Sequence, residues 1–429
     1  MNKIYKNILS ITFGIFSLAL ALILFNMAKK YLDLGQYIKL LIIIIFLFFF
    51  ITNIFLKKNI QKKSFYLFIY IILILYSLNT FLGVYSIYLD NKKNNYIKNK
   101  SGEFDDRNIF QFIEDNKVEG KSILPYLTPR EFLIKNENFM LISAASNKNY
   151  AQCNEVGNWK VVKTDDFGFN NNLIIDKYDI LLAGDSFADG TCVAKNDEIA
   201  NKLIANDFST YTVGFAGNGP LLSLASIVEI NKYFEFKNLV WFIYRNDFLD
   251  LKWELSDKRL IKYFDPEFKG YDLFHNKKNI DDKYISFINS QNKKSINFEL
   301  KESFLELKFL KKYFSLLNTS TESNKIDVKD FDKIFKSLVN RKITNKNQIL
   351  IVYLPGYSCF TNEKKVCKNE FNKIKSSSET HQIKSINFMD YINKNNLPFK
   401  TLFSLEMKGN HYSSYGYDVL SNFVIKNLN

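Results

Sequence analysis

The strongest chemical signal in this 429-residue chain is Ile180-Leu-Leu-Ala-Gly-Asp-Ser-Phe-Ala-Asp-Gly190. An apolar, strand-like run ends in Gly184-Asp185-Ser186, and a turn of small residues follows. A serine at the carboxyl tip of a buried strand is held rigidly and faces the crevice where open α/β sheets take their ligands. Serine in a βα turn is also an ordinary helix cap. A nucleophilic role therefore depends on whether the chain supplies what an activated hydroxyl requires. That is a base to take the proton, and N–H donors for the oxyanion that forms during acyl transfer.

Groups of those types recur downstream. The loop Gly214-Phe-Ala-Gly-Asn-Gly-Pro220 has glycines, Gly217 among them, that let a backbone N–H approach a ligand closely. The apolar run Leu239-Val-Trp-Phe-Ile-Tyr244 ends in Arg245-Asn246-Asp247, which places a side-chain amide at a strand end. His411 lies in Gly409-Asn-His-Tyr-Ser-Ser-Tyr-Gly416, just before the last helical pattern. His275 and His381 sit in polar, less patterned surroundings, which leaves His411 as the candidate base.

These residues need a scaffold that brings strand ends together, and the pattern around them provides one. Strands are expected at 180–183, 211–214, 238–244 and 348–354, with helices at 198–206, 221–233 and 415–428. A strand and turn at 160–172 lead in. Strands alternating with helices point to α/β architecture, a parallel sheet covered on both faces. The more polar residues from about 250 to 345, with a helical stretch at 304–317, read as an insertion.

The order and setting of the four blocks resemble the SGNH hydrolases, the GDSL-like family. That family is defined by Ser, Gly, Asn and His in successive blocks, matched here by Ser186, Gly217, Asn246 and His411. The resemblance covers roughly residues 165 to 428 and implies a flavodoxin-like three-layer α/β/α domain. It also implies that Ser186 is the nucleophile and His411 the general base. The N–H groups of Ser186 and Gly217, with the amide of Asn246, would form the oxyanion hole. The family carries an Asp two or three residues before its histidine, where this chain has Lys408 and Gly409. Glu406 is the nearest carboxylate and Asp390 another, and a backbone carbonyl is the remaining way to orient the ring.

The amino-terminal ninety residues are of another kind. Runs at 7–28, 40–56 and 64–89 lack Lys, Arg, Asp and Glu, and each approaches the length of about 20 residues that crosses a bilayer. Lys29-Lys30, Lys57-Lys58 and Lys62-Lys63 separate them. A cleavable signal accounts for the first run alone. The expected organisation is a three-helix transmembrane anchor at 1–90, a juxtamembrane connection at 91–160 and the α/β domain at 161–429. Lysine is spread over both sides of these runs, so charge does not fix the orientation.

The formal charge of +14 comes without an arginine stripe or nucleic-acid motif, so no nucleic-acid partner is expected. All four cysteines, Cys153, Cys192, Cys359 and Cys367, lie outside the apolar runs, which is compatible with two disulfides in an oxidising compartment. Cys359 and Cys367 would close a short loop, and Cys153 and Cys192 would tie the segment entering the domain to the turn after Ser186. Without a CxxC pair, a metal site is not expected, nor is a cofactor, since no phosphate loop or dinucleotide fingerprint occurs.

The expectation is thus a multi-pass protein of a bacterial cytoplasmic membrane with its carboxyl-terminal domain outside the cytoplasm. It would act as an esterase or deacetylase on acylated envelope carbohydrate or lipid. The alternatives are an O-acyltransferase of the same clan, working with an acyl-donor membrane protein, and an SGNH-like scaffold without activity.

Overall fold

The computed structural model describes residues 58–136, 138–172, 174–292, 307–313 and 328–428. The larger of two compact units, Tyr85–Glu302 with Lys311–Asn429, contains every candidate site residue.

A five-stranded, wholly parallel sheet is its centre, built from β4 (Lys177–Ala183), β5 (Thr210–Thr212), β6 (Glu235–Tyr244), β7 (Ile349–Leu354) and β8 (Lys384–Asn387). The spatial order is β5-β4-β6-β7-β8. In sequence rank this is 2-1-3-4-5, a doubly wound order whose direction reverses between β4 and β6. Side chains alternate across the sheet as the pleat requires. Leu181, Leu239, Trp241, Ile243, Ile351 and Tyr353 enter one core, and Ile180, Leu182, Val240, Phe242, Leu350 and Val352 enter the other. Both faces are covered, which is why Ile180–Ala183, Leu239–Tyr244 and Ile349–Leu354 read as continuous apolar runs. Each fully buried side chain of this size contributes about 1.5–3 kcal/mol.

The anticipated strands at the carboxyl side of the fold are all present, and β8 is additional. Before them lies a second, three-stranded sheet, ordered β1 (Ile123–Pro125), β2 (Asn149–Cys153), β3 (Lys160–Lys163). β1 and β2 run parallel, while β2 and β3 form an antiparallel hairpin. Tyr150, Leu141 and Ile142 enter the same core as β6, so residues from this region build the domain rather than merely link to it.

The helices that matter to the site are α1 (Lys58–Ser101), α2 (Ser186–Asp189), α3 (Pro220–Ile230), α4 (Asp247–Glu254), α5 (Lys364–Thr380) and α6 (Ser414–Ile425). Among the described residues one helix is long and apolar enough, by length and composition, to cross a membrane. It is the Ile69–Ser101 stretch of α1, with a mean hydropathy of 1.7 in its most apolar window. The whole of α1 contains the third apolar run, 64–89, while the runs at 7–28 and 40–56 lie outside the described residues. Of the expected helix at 304–317, residues 308–313 are described and helical.

Candidate active site

β4 ends at Ala183, and Gly184 turns the chain with φ +142°. A side chain there would put its Cβ 2.8 Å from the Phe242 carbonyl oxygen of the neighbouring strand, so glycine lets β4 and β6 close up at the switch point. Asp185 caps α2 by accepting from the Phe187 N–H at 3.0 Å. Ser186 is the first residue of that short helix, and only 9% exposed. Its N–H is among those no carbonyl of its own helix can reach.

His411 is held in a loop that is stitched back on itself. The Ser404 N–H donates to the His411 carbonyl at 2.9 Å, Phe403 bridges Tyr412, and Ser413 caps α6. The Tyr412 hydroxyl donates to the Pro355 carbonyl after β7, and Phe187 packs 5.0 Å from the imidazole. The ring lies 2.8 Å from Ser186 through Nε2.

The group on the other ring nitrogen is Glu155. Its Oε1 is 3.0 Å from His411 Nδ1, and its Oε2 accepts from the His411 backbone N–H at 2.9 Å. This corrects the expectation of Glu406 or Asp390, both of which are exposed, and of a backbone carbonyl. Glu155 belongs to the turn of the β2–β3 hairpin, two residues after Cys153. A carboxylate on Nδ1 fixes the tautomer with the proton on Nδ1 and leaves Nε2 as acceptor for the Ser186 hydroxyl. Burial disfavours the imidazolium, but the Glu155 hydrogen bond and charge, joined by Asp185 and Asp189, outweigh it and raise the His411 pKa above its ordinary value. For Glu155, burial raises the pKa, but His411 outweighs it and the carboxyl stays below its usual range. Together these shifts favour an ionised carboxylate facing a strengthened base.

Cys153 and Cys192 form a disulfide, as do Cys359 and Cys367. The first joins the hairpin carrying Glu155 to the turn carrying Ser186. The hairpin turn of Glu155 is also anchored by Asn154, whose Nδ2 donates to the Asp105 carbonyl at 2.6 Å. Glu155, Cys192 and His411 place their ligand atoms within 4.8 Å of one another. The Cys192 sulfur is committed to the disulfide, so that trio lacks the thiolate a metal would take.

The oxyanion candidates border the same turn. Gly217 has φ +82°, and a Cβ there would come within 2.8 Å of Thr128. The Phe215 N–H at the start of its loop donates to the Gly184 carbonyl at 3.4 Å. Asn246, two residues past the end of β6, donates from Nδ2 to Asp250 at 3.1 Å. Behind it lies a set of buried acids. Burial, aided by the neighbouring Asp185 charge, pushes Asp250 up to about 7. Burial pushes Glu254 up to about 8. Glu254 accepts from the Leu221 N–H at 2.8 Å and so caps α3, whose own N-cap Gly219 has no side chain to do it.

Arg245 points away from this centre. It pairs with Glu363 and Glu370 and donates to Ser358 at 2.9 Å, so it serves the packing of α5 against the sheet. His381 meets Asp332 at 2.8 Å, and His275 does not join the Ser186–His411–Glu155 relay.

The structure brings Ser186 and His411 together, with Gly217 and Asn246 on the loops that follow β5 and β6. No motif in the sequence marks Glu155, although the Cys153–Cys192 pairing points to its neighbourhood. No family model matches the chain, and no curated protein matches it.

Proposed function

We propose that this chain is a membrane-anchored serine esterase of the SGNH type, acting on O-acylated envelope carbohydrate or lipid. The observation that carries the proposal is the Glu155–His411–Ser186 relay at a parallel-sheet switch point, with contacts of 3.0 and 2.8 Å. In the reaction the Ser186 Oγ attacks the ester carbonyl carbon while its proton passes to His411 Nε2. The carbonyl π pair moves onto oxygen, where the N–H groups of Ser186 and Gly217 and the Asn246 amide receive it. When that pair returns, the C–O bond to the alcohol breaks, and His411 hands its proton to the leaving oxygen. Water then repeats the sequence on the acyl-serine, giving the carboxylic acid and free Ser186.

Glu155 supplies a carboxylate to the Nδ1 of His411, which favours an active site over an inactive scaffold. Two disulfides favour an oxidising compartment for the domain. With the three apolar runs read as an anchor, the protein is a multi-pass protein of the bacterial inner membrane with this domain outside the cytoplasm. A cytoplasm-dependent reporter fused after the carboxyl terminus stays silent on that topology.

The decisive measurement is labelling of the full chain, in detergent, with a fluorophosphonate probe. Wild type becomes labelled and Ser186→Ala does not. An unlabelled wild type, or equal labelling of both, refutes the esterase reading.

A further inference from the structure

The loops that carry Glu155 and His411 rest on the end of the apolar helix. In α1 the apolar run closes with exposed Tyr85, Ile87, Tyr88 and Leu89, followed by Asp90, Asn91, Lys92 and Lys93. Only two turns later the helix becomes part of the active domain. Ile97 is 1% exposed, and the Tyr96 hydroxyl donates to the Leu405 carbonyl at 3.1 Å, within the loop that leads to His411. On the Glu155 side, a Cβ at Gly157 would meet Ile97 at 3.3 Å and Ser101 at 2.9 Å. The Asp105 N–H donates to the Gly157 carbonyl at 2.6 Å, and Lys93 is close enough for its charge to act on Glu155.

The spacing sets a height. From Leu89 to Tyr96 or Ile97 is seven or eight residues, about 10–12 Å along the helix at roughly 1.5 Å per residue. The polar layer of a bilayer is about 5–8 Å deep on each side. With Leu89 at the edge of the hydrocarbon layer, Tyr96 and Ile97, which brace the loops of His411 and Glu155, lie within a few ångströms of the head groups. Lys92, Lys93, Lys98 and Lys100 are exposed around them and favour an anionic surface.

We propose that the substrate is an acyl ester tethered to the bilayer, presented within about 10 Å of the head groups by its own lipid anchor. This rests on the membrane-anchored esterase reading. It specifies that an ester of the same chemistry free in solution is a poor substrate because it is not concentrated at that height.

The test uses the full chain in vesicles of phosphatidylcholine and phosphatidylglycerol. A fluorogenic acetyl ester is attached to a phospholipid head group through a short linker, through a long polyethylene glycol linker, or left without lipid. Wild type is expected to hydrolyse the short-linker ester at least tenfold faster than the lipid-free ester at equal bulk concentration. Insertion of seven helix-forming residues between Asp90 and Asn91 raises the site by about 10 Å and turns it by only about 20°. That variant should lose at least tenfold on the short-linker ester, keep its rate on the lipid-free ester, and recover on the long linker. Equal wild-type rates on short-linker and lipid-free esters overturn the proposal. So does an insertion variant as fast as wild type on the short linker. Fluorophosphonate labelling of Ser186 in the same vesicles separates the two readings, since its absence in wild type removes the esterase itself. If the insertion abolishes labelling by misfolding, the linker series on wild type decides.

Discussion

Replacing Glu155 by Gln removes one charge and keeps the shape, which makes the orienting acid directly measurable. The carboxylate and imidazole touch at 3.0 Å, and each side chain is 20% exposed. Charge centres about 4 Å apart at an effective dielectric near 20 attract by about 4 kcal/mol. Partial solvent access lowers that to about 2–4 kcal/mol. The imidazolium forms only as Ser186 gives up its proton, so this attraction stabilises the transition state rather than the resting site. At about 1.36 kcal/mol per decade, Glu155→Gln slows Ser186 labelling by roughly 30- to 1000-fold on the high-pH plateau. The pH profile moves too. In wild type the His411 pKa is raised because Glu155, with Asp185 and Asp189, overcomes the lowering by burial. Without the Glu155 charge burial gains, so the ascending limb shifts to lower pH while the plateau falls. The assay is the pseudo-first-order rate of fluorophosphonate labelling from pH 5 to 9, with Glu406→Gln and Asp390→Asn as controls expected to match wild type. A Glu155→Gln rate within threefold of wild type, with the limb unmoved, would falsify the assignment. A plateau loss in either control would move the role to that residue.

Three further outcomes follow from the packing around the relay. Converting Cys153 and Cys192 to Ser opens a closure spanning 39 residues, which costs about 4 kcal/mol in the chain-entropy picture. Labelling should fall even well below the melting temperature, because Glu155 loses its clamp, whereas the Cys359/Cys367 double serine variant should label normally there. Arg245→Met leaves Glu370, 3% exposed, and Glu363 without their cation. A loss of about 3 kcal/mol, or about 4–5 °C in Tm for a unit of this size, is expected by calorimetry. Glu254 in the folded chain is pushed up to about 8, against about 4.3 unfolded. The folded state then keeps a proton that the unfolded state sheds, so wild-type stability declines as pH rises from about 5 to 8. Glu254→Gln should reduce the slope of Tm against pH over that window, while Asp250, pushed up to about 7, and Asp247, raised well above the usual range by burial, keep part of it.

What could be read in advance follows from where each interaction is encoded. β7 and the carboxyl-terminal parts of β4 and β6, Ile180–Ala183 and Leu239–Tyr244, announce themselves because both their faces are buried, so they read as apolar runs. β8 is a four-residue edge strand, Lys384-Ser-Ile-Asn387, with one apolar side chain and no such signature. Ser186 and His411 are legible because short local motifs hold them: a glycine turn with an Asp cap in one case, a Ser-capped helix start in the other. Glu155 has no local pattern. It is a carboxylate in a hairpin turn, 256 residues from its histidine, and it reaches the site only because a second sheet packs against the first.

The His411 loop shows why the acid can be so remote. Gly409, with φ +91° and open space around its Cα, and exposed Lys408 occupy the positions nearest the histidine. They leave the loop free to fold back through Asn410, whose Nδ2 donates to the Ser404 carbonyl at 3.1 Å. The two-point grip of Glu155, one oxygen on the ring and one on the His411 backbone N–H, then fixes both side chain and main chain. An acid within the loop would have to be oriented by that loop's own backbone. An acid on a disulfide-clamped hairpin is oriented independently, so the order of the site depends on how firmly the two sheets are joined.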